Sequence, residues 1–366
     1  MPDPRVTKMA KVLVKYSLDL QPGQEFILST SPLAEELSLA VYKEAILAGA
    51  HIFVMNSVPG TDEIRLKHAS DAQLDYVDPI AKFAVENFDA FIEIVAPYNT
   101  RELSGVDPAR QSRSRRAKME IGVTIAERTA RGEFTWCITL YPTHASAQEA
   151  DMSLSEYQDF VYSACLVDQP DPVAAWRKLG ERQDKLVDWL AGKEQVTIQG
   201  SNVDLRMSIK GRTFESCQGN YNFPDGEIFT GPVEQSVDGW VRFSYPGIYG
   251  GREVENIELW FEDGKVVKEQ AAKGQELLTA LLDTDDGSRY LGELGIGTNY
   301  GIQRFSKNML FDEKMGGTIH LAVGRGMPET GSQNKSAIHW DMLCDMAESE
   351  ITVDDELFYK DGQFVV

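Results

Sequence analysis

Residues Glu25–Asn56 read EFILSTSPLAEELSLAVYKEAILAGAHIFVMN. The stretch holds two short runs, EFILST at Glu25–Thr30 and HIFVMN at His51–Asn56, each too short and too rich in β-branched or aromatic residues for a helix core. Between them, Leu33–Leu47 repeats its apolar residues at three-to-four spacing, as an amphipathic helix requires. Strand, helix, strand is the βαβ unit, and it implies a parallel pair. The alternation continues through a helix at Ala72–Asn87 and strands at Ala90–Val95 and Phe134–Leu140. Residues 1–191 are therefore expected to form an α/β domain with a mainly parallel sheet. No Gly-x-Gly-x-x-Gly follows any of these strands, so no nucleotide cofactor is expected.

A long helical stretch, Pro172–Leu190, ends in Ala-Gly, and beyond it the texture changes. Alternating runs at Gln195–Gln199, Val203–Ile209, Trp240–Tyr245, Ile257–Phe261 and Lys265–Gln270 are separated by Gly, Asn or Asp-Gly turns. Glu262–Lys265 and Tyr359–Gly362 read as hairpin turns, and Gln275–Leu282 as a helix. A second domain, 192–366, mainly antiparallel and α+β, follows from this pattern, and 366 residues suit two domains.

Composition narrows the partners. Thirty-six basic against fifty-seven acidic residues give a net charge of −21, a field that repels nucleic acid and anionic lipid and tolerates metal cations. The basic stretch Arg110–Lys118 reads as a solvated helix face. No run approaches the ~18 apolar residues of a membrane span, and MPDPRVTKMAKVLVKYS lacks an apolar core with a cleavage site, so a cytoplasmic location is expected. The cysteines Cys137, Cys165, Cys217 and Cys344 form no Cys-x-x-Cys pair, which argues for buried thiols over disulfides or a thiolate zinc site.

Chemistry concentrates in the second half. His339 and Asp341, in AIHWD, are two apart, so an extended strand projects both to one face, a geometry that suits a shared metal. His320 lies in the strand-like GTIHLAVG, whose flanking glycines admit close approach. Glu227, in FPDGEIFTGP, and Glu293, in LGELGIG, are acids among turn and apolar residues, and a buried carboxylate needs a cation or a hydrogen-bonding partner. Glu313, in FDEK, reads equally as a surface turn or a site acid. His51, His68 and His144 read as structural or surface residues. Carboxylates and imidazoles without thiolates point to Zn, Co or Mn, and several carboxylates make room for two ions, which together activate water and polarise a carbonyl.

At these residues the sequence resembles the aminopeptidase T family of metallopeptidases, through NFPDGEIFTGPVE, LGELGIGTN, LFDEKMGGTIHLAVG and NKSAIHWD in that order, with YPTHASAQEADMSLSEYQDF similar further upstream. The resemblance implies metal contacts by Glu227, Glu293, Glu313, His320, His339 and Asp341, with Glu293 bridging two ions. It also implies removal of N-terminal residues from peptides with a free N-terminus, and a homodimer whose C-terminal domain holds the metals. One departure stands out: Met327 occupies the place of a family tyrosine, and a thioether cannot donate the hydrogen bond a phenol gives to an oxyanion.

Two further readings compete with the dinuclear aminopeptidase, in which Glu313 can shuttle a proton. In the first, His320, His339 and Asp341 alone form a two-histidine, one-carboxylate triad for a mononuclear non-haem Fe(II) ring-cleaving dioxygenase. In the second, the fold is kept as a binding protein without chemistry.

Overall fold

The computed structural model describes residues 3–366, which form two compact units. The first comprises the chain up to Val173 together with Gly219–Pro224; the second comprises Ala174–Gln218 and Asp225–Val366.

In the first unit the strands read from the opening stretch are present: β1 (Glu25–Thr30), β2 (His51–Asn56), β3 (Ala90–Val95) and β4 (Thr135–Leu140). Their order is β2-β1-β3-β4, extended by the two-residue strand Asn222–Phe223, and every pairing is parallel. The helix expected between β1 and β2 runs Glu35–Ala48 (α1) and buries Leu37, Val41 and Ala45. The helix expected at Ala72–Asn87 is two helices, Asp71–Leu74 and Pro79–Asn87. Proline lacks the N–H that a continuing helix would use, and the Asp78 carboxylate caps the new helix by accepting from the Ile80 N–H at 2.8 Å. No helix among the described residues is long and apolar enough to cross a membrane.

The second unit carries two large antiparallel sheets and a two-stranded one, Gly247–Tyr249 with Arg252–Val254, as its alternating pattern predicts. One has eight strands, from Lys265–Gln270 at one edge through Glu258–Glu262, Asp238–Arg242, Val203–Ser208, Gln195–Gly200, Ser349–Val353 and Glu356–Lys360 to Gln363–Phe364. The run expected at Trp240–Tyr245 pairs only as far as Arg242. The Asp-Gly pairs at 263–264 and 361–362 adopt left-handed conformations, which a two-residue hairpin demands and which Gly and Asp tolerate. The other sheet has five strands: β5 (Glu215–Cys217), β6 (Glu227–Thr230), β7 (Leu291–Gly297), β8 (Thr318–Gly324) and β9 (His339–Asp345), in the order β9-β8-β7-β6-β5. Ile228, Leu294, Ile296, Ile319, Leu321 and Met342 of this sheet join Ile198, Val203 and Leu205 of the larger one in a single apolar core. Fully burying a side chain of this kind contributes about 1.5–3 kcal/mol.

The helix Pro172–Leu190 (α2) runs as expected. The sequence division at 191/192 groups it with the first part of the chain, whereas the second unit begins at Ala174. Gln183 of α2 is fully buried, and its amide donates to the carbonyls of Cys217 at 3.0 Å and Glu227 at 2.9 Å and to Thr298 Oγ1 at 2.9 Å. Those bonds tie α2 to the ends of β5, β6 and β7.

Candidate metal centre

Side chains alternate across a strand, so register decides which residues share a face. Gly297 lies opposite Glu227, Gly295 opposite His320, and Ala322 opposite both Glu293 and Asp341. Gly324 lies opposite His339. Glu227, Glu293, His320, His339 and Asp341 therefore share the face turned away from the apolar core, with Gly295, Gly297, Gly324 and Ala322 standing opposite them. A shift of register between Leu291 and Glu293 adds a residue to β7 and re-aims Glu293, as β-bulges beside functional sites do. The glycine at 295 is obligatory: a Cβ there would lie 2.0 Å from Cε1 and Nε2 of His320. The imidazole lies flat over the strand only because that side chain is missing.

The ligand atoms converge in two groups. Glu227, Glu293 and His320 form one, and Glu293, His339 and Asp341 the other, with the atoms of each group within 4.8 Å of one another. Glu293 belongs to both. His320 Nε2 stands 3.0 Å from Glu293 Oε1 and 3.3 Å from Glu227 Oε2. His339 Nε2 stands 3.7 Å from Glu293 Oε2 and 3.4 Å from Asp341 Oδ1. The other nitrogen, His339 Nδ1, donates to the Arg325 carbonyl at 2.7 Å, which fixes the tautomer and leaves Nε2 free to act as a ligand.

Burial makes the cluster costly without a cation. Glu227 and Glu293 are each 5 % exposed and His320 1 %. Desolvation raises the Glu293 pKa against the opposing His320 hydrogen bond. Burial alone would lower both imidazoles, but the carboxylates reverse it: Glu227 and Glu293 raise His320, and Asp341 with Glu293 pushes His339 up to about 9. Asp341 is held below the usual carboxylate range, its burial offset by His339. Glu227 Oε2, Asp341 Oδ1 and His320 Nδ1 are buried with no hydrogen-bond partner. Orphaned oxygens on two of the three clustered carboxylates, with a tautomer-locked imidazole facing them, fit a divalent cation's demand for O and N donors.

Glu313 joins neither group. It caps the short helix Met309–Asp312 (α3) at its C-terminus, and its carboxylate pairs with the Lys314 ammonium. His51 is exposed at the start of β2, and Met327 lies half-buried in the turn after β8. Sequence reasoning missed Lys314, which is fully buried in a stretch that reads as a polar turn. It also missed Asp225 and Cys217, which form a third group with Glu227. Burial keeps the Cys217 thiol well above its ordinary pKa and hence a poor ligand.

A mid-sheet cluster of carboxylates and imidazoles marks a candidate divalent-metal site. The profile of the family described as thermophilic metalloprotease (M29) matches residues 3–364, and the chain belongs to that family, whose description carries a divalent metal and a peptide-bond substrate with it. Aminopeptidase 2 of Geobacillus stearothermophilus is 28 % identical, over 94 % of this chain and 92 % of that protein. The solved structure of wild-type AmpT from Thermus thermophilus superposes with a TM-score of 0.85 at 25 % identity and covers 99 % of each chain. The resemblance drawn from the motifs and the expected fold class are both borne out. The 2,5-dihydroxypyridine dioxygenase of Pseudomonas putida KT2440 shares the fold at a TM-score of 0.56 and 15 % identity, with 99 % and 97 % of the two chains covered.

Proposed function

We propose that this protein is a dinuclear metallo-aminopeptidase that releases N-terminal residues from peptides with a free N-terminus. The observation that carries the reading is the sharing of Glu293 between two ligand groups. Glu227 and His320 would complete one ion's ligands, His339 and Asp341 the other's, with Glu293 between them. Two ions of Zn, Co or Mn held there supply an activated water and a polarised carbonyl. Glu313 stands outside both groups with one oxygen on Lys314. Its other oxygen, Oε2, would take the proton of the attacking water and pass it to the departing amine. Met327 offers no phenol to the oxyanion, so Met327→Tyr is expected to raise kcat.

The mononuclear Fe(II) reading draws less support. Among the described residues no single group joins His320 with His339 and Asp341, and the likeness to the dioxygenase is one of fold. A cytoplasmic location fits the four free cysteines. A homodimer fits the exposed apolar residues Leu39, Tyr42 and Val54, which line a cleft of 280 Å³ in the first unit. The deciding experiment is a metal count on protein purified without chelator, paired with a panel of unblocked and N-acetylated peptides. About two ions per chain and cleavage of unblocked peptides alone are expected; a folded, metal-loaded sample inactive across the panel overturns the proposal.

A further inference from the structure

Lys314 is the one fully buried lysine among the described residues, and the mechanism above gives it no part. An isolated ammonium taken out of water is expensive, so its neighbours define its role. Nζ pairs with Glu313 Oε1 and stands 3.7 Å from Glu227 Oε1. On Glu227 the two oxygens are thereby divided: Oε1 faces Lys314, while Oε2, which lacks a hydrogen-bond partner, faces His320 at 3.3 Å. The backbone of Lys314 is pinned at both polar groups. Its N–H donates to the Phe311 carbonyl at 3.1 Å, and its carbonyl accepts from the Asn299 N–H at 3.1 Å, two residues beyond the end of β7. A side chain anchored this way, with no exposed surface, has little freedom to place its charge elsewhere.

We infer that Lys314 is the positioning residue of the centre, holding Oε1 of Glu227 and Oε1 of Glu313 so that each carboxylate presents a single oxygen, Glu227 to the ion and Glu313 to the transferred proton. The inference rests on the dinuclear reading above and adds to it how the ligand's mode is set. Glu227 binds through one oxygen because the other is taken.

The test is a Co²⁺ titration of wild type and Lys314→Met, followed by the visible absorption of the bound ion and by a peptide assay. Methionine keeps the length and removes the charge. The step belonging to Glu227, Glu293 and His320 is expected to weaken roughly 10- to 100-fold, the usual cost of losing a partner that orients a ligand. The step belonging to Glu293, His339 and Asp341 is expected to stay as in wild type, and kcat to fall more than KM rises. Two unchanged steps, or two steps weakened equally, overturn the inference. Because Lys314→Met can fail to fold, the crystal structure of the wild-type protein grown with Co²⁺ gives a second reading. Glu227 bound through Oε2 alone, with Nζ on Oε1, supports the inference. Glu227 chelating through both oxygens, or Nζ displaced, overturns it and leaves the dinuclear reading standing, whereas a crystal with no ion in the group overturns both.

Discussion

The strands β2 (HIFVMN) and β8 (TIHLAVG) are near equals in composition, short, apolar and carrying one histidine each, yet the fold treats them oppositely. β2 is an edge strand paired only with β1; His51 is exposed, and Phe53 and Val54 are 50 % and 43 % exposed. β8 lies between β7 and β9, and all seven of its residues are buried. A histidine at a sheet edge is solvated and needs no partner. One in mid-sheet must find carboxylates or a cation, and His320 finds Glu227 and Glu293. Sheet position, more than strand composition, turns an imidazole into chemistry.

The contrast can be broken most forcefully at His320. His320→Ala removes a proposed ligand, and peptide release is expected to fall by more than the roughly 100-fold typical of an orienting partner, with about one ion lost from the metal count. Next in size is Gly295→Ala. The added Cβ would meet the His320 ring at 2.0 Å, so the ring or the strand must move. Overpacking of this kind costs about 1–3 kcal/mol, which a denaturant melt reads directly, and metal affinity should drop with it.

The pH response sharpens the comparison further. In metal-free protein His339 is raised from 6.5 to about 9, so it contributes stability that is fully present below about 6.5 and is lost as pH rises through about 9. The contribution is roughly 3 kcal/mol at most, and urea melts of chelated protein between pH 6 and 10 measure it. Ion binding requires the same imidazole to lose its proton, so metal affinity should run the opposite way and increase over that window by roughly tenfold per pH unit for each proton released. A flat affinity profile would remove His339 from the ligand set. Smallest of all is His51→Ala, expected to leave both ion steps unchanged and stability within about 0.5 kcal/mol.

Much of this was legible in the chain itself. Period-two alternation located the strands, and Asp-Gly pairs located the hairpins. Glycines and turn residues around Glu227, Glu293 and His320 marked acids and an imidazole that an ordinary surface would not hold so tightly. Spacing placed His339 and Asp341 on one face. Lys314 stayed hidden because Asp312-Glu313-Lys314 is polar throughout, and only the folding of that turn near Glu227 makes the lysine internal. The break at Pro79 follows from proline's missing N–H, which the apolar spacing across Ala72–Asn87 does not register. The attachment of α2 to the second unit rests on Leu186 and Leu190 in its apolar core and on Gln183, all with partners distant in sequence and invisible to any local pattern.

The bond from His339 to residue 325 ends on a main-chain carbonyl, and that choice has an evolutionary corollary. A side-chain acceptor would disappear with one codon change, but every residue that can stand at 325 brings the same oxygen. Alanine scanning across this loop would therefore report an indifferent position, and the tautomer would persist through drift that rewrites the neighbouring side chains.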